Sequence, residues 1–73
     1  MPHVIVKMYA GRSEELKQKI AQAIVDDLKS VAGCKDESIS VAIEDVLPEA
    51  WMETVYAEEI APKLDSLYKK PGY

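Results

Sequence analysis

Hydrophobic and polar residues alternate with a period of two in two stretches of the chain. The first stretch places three apolar residues on one face: Val4, Val6 and Met8. The second stretch runs from Ser38 to Asp45 and places three more on one face: Ile39, Val41 and Ile43. Because β-branched residues dominate both faces, the pattern predicts two half-buried strands.

A helical period separates the two strands. Ser13 suits the position that caps a helix, and two glutamates follow it in the first turn. Apolar residues then recur at steps of three and four: Leu16, Ile20, Ala23, Ile24, Leu28 and Val31. This spacing predicts a helix from Glu14 to Ala32 that ends at Gly33, after a loop over residues 9–13. A strand, a helix and a strand predict a βαβ unit with parallel strands.

A second helical pattern follows the second strand. Pro48 suits its first turn, and most of its apolar residues lie four apart: Met52, Tyr56, Ile60, Leu64 and Leu67. Pro62 interrupts the pattern and predicts a kink or a break near residues 58–61, since proline lacks the backbone N–H. Lys69 and Lys70 are placed to favour the carboxyl end of this helix.

The length of 73 residues predicts one domain, residues 1–73, whose own core is small. One cysteine, Cys34, excludes an internal disulfide, and one histidine leaves no Cys/His metal cluster. Small domains without such cross-links gain stability by self-association. Two strands also form a stable sheet only with further strands or helices, so we expect an oligomer.

Charge and hydropathy exclude other classes of protein. The net charge of −4 disfavours nucleic acid as a partner, because phosphate binding needs a concentrated basic surface. No apolar run approaches the ~18 residues of a membrane span, and no signal peptide opens the chain. Together with the free cysteine, these features predict a cytoplasmic protein with no membrane partner.

Pro2 is the candidate catalytic residue. If Met1 is retained, Pro2 is an ordinary amide at the start of a strand. If Met1 is removed, as we expect beside a small residue, Pro2 becomes a rigid secondary amine. An α-amine titrates at about 7.7–8.0, nearer to neutrality than a carboxylate or a lysine, and burial would lower that pKa. Such an amine suits general acid–base catalysis.

Three segments together resemble the 4-oxalocrotonate tautomerase family. The start at Pro2 is followed by the sequence AGRS at residues 10–13, which resembles the Gly-Arg-Ser step of the family. Residues 36–51, DESISVAIEDVLPEAW, resemble its second strand and the following loop. Residues 58–73 resemble the longer helix of its bacterial phenylpyruvate-type branch. The resemblance covers nearly all of the chain.

The resemblance implies an α/β (α+β) tautomerase fold in which two protomers complete a four-stranded sheet with helices on one face. We expect a homodimer, with a hexamer of three dimers as the alternative. The implied activity is keto–enol tautomerisation of a small 2-oxo acid, with the Pro2 amine as base and then acid and without cofactor or metal. Arg12 corresponds to the arginine that binds a substrate carboxylate, and Trp51 to an aromatic residue lining the site.

One position departs from the archetype of the family. Ser40 stands where the archetype carries a second arginine, which binds the 2-oxo acid end of a dicarboxylate. A serine hydroxyl offers neither the charge nor the two-pronged geometry of a guanidinium. We therefore expect a monocarboxylate, such as the enol of an aryl or alkyl pyruvate, with Ser40 among the residues that contact it.

Two other functions remain open from the sequence. A related proline-dependent hydratase, dehalogenase or decarboxylase would use the same amine, although the further arginines or carboxylates usual in those enzymes are not found. A non-catalytic oligomeric binding module on the same fold would be favoured by retention of Met1, because the amide removes the base.

Overall fold

The computed structural model describes residues 1–73, and its centre is a two-stranded parallel sheet. Strands β1 (His3–Tyr9) and β2 (Ser40–Val46) each contain seven residues. Helix α1 (Glu14–Ala32) connects them. This confirms the βαβ unit, since two parallel strands need a crossover of this kind.

The register of the sheet defines its two ends. His3 is opposite Ser40 at the end where both strands begin, here called the amino end. Tyr9 is opposite Val46 where both strands finish, here called the carboxyl end. Because strands rise about 3.3 Å per residue, the two ends lie roughly 20 Å apart.

Both strands differ slightly from the predicted bounds. Strand β2 begins at Ser40 rather than Ser38, because Asp36–Ser38 forms a 3₁₀ turn. Ser38 closes that turn with two bonds to the Lys35 carbonyl, from its N–H at 3.0 Å and its hydroxyl at 2.8 Å. Strand β1 extends to Tyr9, which was predicted to lie in the loop.

Helix α1 has the predicted bounds. The Ser13 hydroxyl accepts the N–H of Leu16 at 3.1 Å, which satisfies a backbone donor of the first turn. The helix ends at Gly33, whose φ of 70° lies in the left-handed region that favours glycine. On the outer surface Lys19 pairs with Glu15 at 3.6 Å. Local sequence therefore sets both ends of this helix.

The two helical parts of the chain contact opposite faces of the sheet. Helix α1 lies over the face that carries Val41 and Ile43, and there Lys17 binds Asp45 at 3.0 Å. Residues beyond β2 contact Lys7 and Tyr9, whose side chains alternate with those of the α1 face. Helix α1 therefore lies on one face of the sheet, and the C-terminal segment lies on the other.

Residues 48–66, here called the C-terminal segment, form one helical run that changes its pitch twice. It begins as an α-helical turn at Pro48–Ala50, continues as a π-helix at Trp51–Ile60 and ends as a 3₁₀-helix at Ala61–Ser66. The N–H of Ala61 reaches the carbonyl of Tyr56, a step of five residues. The predicted regular spacing of four is therefore wrong over residues 51–60.

Two side chains explain the change of pitch. The Thr54 hydroxyl donates to the Ala50 carbonyl at 2.7 Å and competes there with the backbone N–H of an α-helical bond. Pro62 has no N–H to donate, and the helix tightens at Ala61. The break is thus close to the predicted place. The helix ends at Ser66, so Lys69 and Lys70 lie beyond it and do not form its last turn, which corrects that prediction.

A single copy of the chain has almost no core. Only Val55 is buried, with 6% of its surface exposed, whereas Ile5 in the middle of β1 is 51% exposed. The surface area of 5563 Å² exceeds the about 4,500 Å² expected of a compact monomer of this mass. The radius of gyration of 13.8 Å likewise exceeds an expected value of about 11 Å. No helix is both long and apolar enough to cross a lipid bilayer.

Candidate functional site

Pro2 and Ser40 meet at the amino end of the sheet. The N–H of Ser40 donates to the Pro2 carbonyl at 3.2 Å, and the Ser40 hydroxyl lies 2.6 Å from Nδ1 of His3. Pro2 is half-buried, while the Met1 side chain is fully exposed. Removal of Met1 would therefore leave the proline nitrogen on a fixed backbone without removing a packed side chain.

Arg12 and Trp51 lie at the carboxyl end of the sheet. The Arg12 guanidinium donates from Nη1 to the Tyr9 carbonyl at 3.1 Å. The Tyr9 ring meets the Trp51 ring edge to face, with centroids 5.4 Å apart and planes at 81°. Arg12 is exposed and takes part in no ion pair, so most of its five N–H donors remain available to a carboxylate.

A cavity of about 570 Å³ opens beside Trp51. All five residues that line it are apolar or aromatic, and this set is called the aromatic pocket: Tyr9, Trp51, Met52, Tyr56 and Tyr73. Its volume lies in the range of sites that bind small molecules, about 300–1,000 Å³. The pocket can bind a ring or an apolar tail. Arg12 lies close to it, because its guanidinium donates to the carbonyl of Tyr9, a residue that lines the pocket.

The π-helix builds this pocket. In an α-helix, five residues turn through about 500°, so Trp51 and Tyr56 would point in clearly different directions. In a helix bonded at steps of five, these two residues lie nearly above one another. The change in pitch therefore brings Tyr56 beside Trp51, and Tyr9 of the sheet and Tyr73 complete the pocket.

An ion pair holds the C-terminal segment against the sheet. Lys7 on β1 donates to the Glu59 carboxylate on the π-helix. This hydrogen bond, assisted by the charges of Glu59 and nearby glutamates, raises the pKa of Lys7 above its ordinary value. Similarly, hydrogen bonds to Glu14 and Asp45 raise the pKa of Lys17. Both lysines therefore remain cations and serve as positive partners.

The four predicted site residues fall into two pairs at opposite ends of the sheet. Pro2 and Ser40 share the amino end, while Arg12 and Trp51 share the carboxyl end, roughly 20 Å away along a seven-residue strand. Within one copy, Arg12 is therefore too far from Pro2 for both to contact one small substrate. One copy of the chain does not bring all four residues together.

Sequence reasoning missed most of the aromatic pocket. Tyr9, Met52, Tyr56 and Tyr73 were not among the predicted site residues. The period of two in β1 could have indicated Tyr9, because it places the Tyr9 side chain on the same face of the sheet as that of Lys7. The spacing of Trp51 and Tyr56 gave no signal for the pocket, because it indicates a common face only in a π-helix. His3 was placed on the other face from Val4, and there it contacts Ser40.

Comparison with known proteins agrees with this architecture. The family described as "Tautomerase enzyme" matches residues 2–55. A probable tautomerase of Xylella fastidiosa is 42% identical over 73 residues, covering 100% of this chain and 89% of the relative. Tautomerase PptA of Pectobacterium carotovorum is 45% identical over 74 residues, covering 100% and 97%. The structure of YwhB, a homologue of 4-oxalocrotonate tautomerase, matches with a TM-score of 0.61 and 35% identity, covering 63% of this chain and 75% of that one.

The fold and these matches define a small α+β enzyme of the isomerase class. The chain belongs to the tautomerase family.

Proposed function

We propose that this protein interconverts the enol and keto forms of a small 2-oxo acid, with the Pro2 amine as general base and acid. The observation that carries the proposal is the position of Pro2. Its carbonyl is bound to β2 through Ser40, and the side chain of the neighbouring Met1 is fully exposed. Removal of Met1 would place a secondary amine at a fixed point on the sheet.

The proton transfers of this reaction need one proton carrier. The amine nitrogen takes the proton of the enol hydroxyl, and the electron pair of the broken O–H bond stays on oxygen as an enolate. The same proton then passes from the ammonium to the carbon next to the future carbonyl. There the electron pair of the C=C bond forms the C–H bond, while an oxygen lone pair completes the C=O bond. The amine is regenerated, so atoms and charge balance without a cofactor. A base with a pKa near the ambient pH suits both steps.

We further propose that the working site needs two copies of the chain. Both strands are sheet edges with one unpaired side, and the surface exceeds that of a compact monomer by roughly 1,000 Å². A typical interface covers about 800 Å² on each partner, so one partner accounts for most of the excess. These features favour a homodimer, and a hexamer of three such dimers would repeat the same pairing.

A two-fold axis between neighbouring β1 strands would unite the two ends of the sheet. Such an axis, perpendicular to the sheet, makes the two strands antiparallel. Pro2 of one copy would then lie beside Tyr9 of the second copy, and so near its Arg12 and aromatic pocket. Four strands would form one sheet with two equivalent sites, one for each Pro2.

The chemistry of both ends favours a monocarboxylate with an apolar tail. Arg12 is the single arginine of the chain, so each copy supplies one guanidinium for one carboxylate. The aromatic pocket offers no charged side chain to a second carboxylate, whose desolvation would be costly. Ser40 would supply only a neutral hydroxyl, held by His3. The enol of an aryl pyruvate fits these features. The lone thiol of Cys34 fits a reducing cytoplasm, where we propose that the enzyme acts.

The experiment tests the amine directly. Intact-mass measurement on untagged protein is expected to show that Met1 is removed. Pro2→Ala and, separately, an uncleaved N-terminal extension are expected to lower the kcat/KM for phenylenolpyruvate ketonisation by about 10²–10⁴-fold. Pro48→Ala is the matched control, because Pro48 is exposed and starts a helix away from Pro2. Unchanged activity in both altered proteins would refute the assignment. Retained Met1 with no activity would instead favour a binding module.

A further inference from the structure

Tyr73 forms one wall of the aromatic pocket although it lies far from the other lining residues in sequence. We propose that Tyr73 determines specificity by enclosing the aryl tail of the substrate beside Trp51. The proposal rests on the proposed tautomerase function and goes beyond it in naming the residue that selects the tail. Tyr73 also lies outside residues 2–55, which the tautomerase family matches.

Two contacts hold Tyr73 in place. The Nε1–H of Trp51 donates to the Tyr73 hydroxyl at 3.0 Å. The Tyr73 ring lies 5.7 Å from the Tyr56 ring, with the planes inclined by 42°. Since Leu67 already has extended backbone, the chain after the helix must turn back to make these contacts. These contacts direct one side of the ring toward the pocket, while 60% of Tyr73 remains exposed.

The wall that Tyr73 forms suits an aromatic ring better than a short alkyl group. Four of the five lining side chains carry aromatic rings. A guest ring can meet such faces and edges in the offset or edge-to-face geometries that aromatic pairs prefer. A methyl or ethyl tail is too small to reach all of them at once. Loss of the Tyr73 side chain should therefore weaken the binding of aryl substrates and leave the binding of short alkyl substrates nearly unchanged.

The chain provides a matched control for this residue. Tyr68 is also a tyrosine after the helix, but its side chain is fully exposed and lines no pocket. Tyr68→Ala therefore changes composition and local chain freedom as Tyr73→Ala does, without altering the aromatic pocket. Tyr73→Phe keeps the ring and removes the hydroxyl that Trp51 contacts.

The kinetic experiment compares an aryl with an alkyl substrate. Enzyme-catalysed exchange of the C3 hydrogens for deuterium is followed by NMR for phenylpyruvate and for 2-oxobutanoate. Tyr73→Ala is expected to lower the aryl-to-alkyl ratio of kcat/KM about tenfold, mainly through a higher KM for phenylpyruvate. Tyr73→Phe is expected to lower this ratio by less than Tyr73→Ala does. Tyr68→Ala is expected to keep the ratio of the natural protein. A ratio for Tyr73→Ala within twofold of that for Tyr68→Ala overturns the proposal.

A binding experiment separates this proposal from the proposed activity. Trp51 is the single tryptophan of the chain, so its fluorescence reports on the pocket. 3-Phenylpropanoate, which has no keto group and cannot react, is titrated against the natural protein and each variant, with propanoate as the comparison. We expect the Kd for 3-phenylpropanoate to rise at least fivefold in Tyr73→Ala and to stay unchanged in Tyr68→Ala.

The combined outcomes are distinguishable. If the natural protein binds 3-phenylpropanoate through Tyr73 but exchanges no hydrogen on either acid, the tautomerase proposal fails and the pocket assignment stands. If 3-phenylpropanoate does not bind, the inference is wrong. If Tyr73→Ala instead weakens the association between copies of the chain, the pocket is an interface, and the inference is wrong for that reason. Circular dichroism of Tyr73→Ala shows whether it folds. If it does not, Tyr73→Leu, which removes the ring and keeps an apolar side chain, replaces it: an unchanged Kd and an unchanged ratio in Tyr73→Leu overturn the proposal.

Discussion

The backbone N–H of Ser40 donates a hydrogen bond to the Pro2 carbonyl at 3.2 Å. This bond fixes the candidate base to Ser40, the first residue of β2. The resemblance to the family places the second arginine of the archetype at this position. The Ser40 hydroxyl in turn contacts His3 at 2.6 Å. A change at Ser40 is therefore a change beside Pro2, and it tests which charge the site accepts.

We expect the natural protein to prefer phenylenolpyruvate over a 2-hydroxy dienedioate in kcat/KM. Ser40→Arg is expected to narrow this preference, because it adds a second guanidinium for the second carboxylate. Steady-state kinetics on both substrates measure the ratio, and Ser38→Arg, in the 3₁₀ turn before β2, is the control. A natural preference for the diacid of tenfold or more, about 1.4 kcal/mol, would contradict the proposed substrate class.

Mixed dimers test whether one site uses two copies. Pro2→Ala and Arg12→Ala are each expected to be nearly inactive alone. If Pro2 of one copy works with Arg12 of the second copy, random mixing makes half of the dimers mixed, each with one intact site. Co-expression should then restore about a quarter of the natural activity. Activity assays on the co-expressed and singly expressed proteins measure this recovery.

Two controls accompany the mixing experiment. Sedimentation of the natural protein at micromolar concentration should show a dimer or a hexamer, and a stable monomer would refute the two-copy site. Native mass spectrometry should confirm that mixed dimers are present. Mixed dimers that show no more activity than the two separate variants would place Pro2 and Arg12 in independent sites.

Gly33 at the end of α1 should not tolerate a side chain. Its φ of 70° strains any other common residue, whereas a Cβ added there would meet no atom within 4 Å, so the cost is conformational rather than steric. Gly33→Ala is expected to lower the free energy of unfolding by about 1–2 kcal/mol. Urea denaturation at fixed protein concentration measures the change. Gly72→Ala, which has equal space and no positive φ, should change it by less than about 0.5 kcal/mol.

The Lys7–Glu59 ion pair should stabilise the protein at neutral pH and lose this effect in strong alkali. The pKa of Lys7 is raised in the folded state, chiefly by its hydrogen bond to Glu59. A raised pKa means that the contribution is fully present below the unfolded value of about 10.4 and is lost as the pH rises through the higher folded value. Glu59→Gln is therefore expected to lower the Tm at pH 8, and by less as the pH passes about 10.4.

A second pair gives the control for this pH dependence. Glu15 and Lys19 are an exposed pair at 3.6 Å on the outer surface of α1. Glu15→Gln should change the Tm less than Glu59→Gln at pH 8, because an exposed pair contributes little. Equal effects of the two variants, or an effect of Glu59→Gln that grows with alkali, would show that Lys7 is not the relevant partner.

The βαβ unit and the place of Pro2 at the start of β1 follow from local sequence patterns. Alternating β-branched residues specify strands wherever one face is covered, and Ser13 and Gly33 mark the ends of α1 through their own backbone chemistry. The sequence also implies that Pro2 and Trp51 lie at opposite ends of the sheet. Parallel strands of seven residues separate the start of β1 from the residues that follow β2.

The aromatic pocket depends on contacts between residues that are far apart in the chain. An α-helix bonds each N–H to the carbonyl four residues before it, and a π-helix bonds it to the carbonyl five residues before it. Over residues 51–60 the choice between the two depends on Thr54, Pro62 and the packing of Trp51 on Tyr9. No local sequence pattern predicts that Tyr73 contacts Trp51, because the two residues are 22 apart in the chain. Their hydrogen bond and the ring contact between Tyr73 and Tyr56 form only in the folded chain. Short-range periodicity specifies elements, whereas contacts between elements specify which side chains share a cavity.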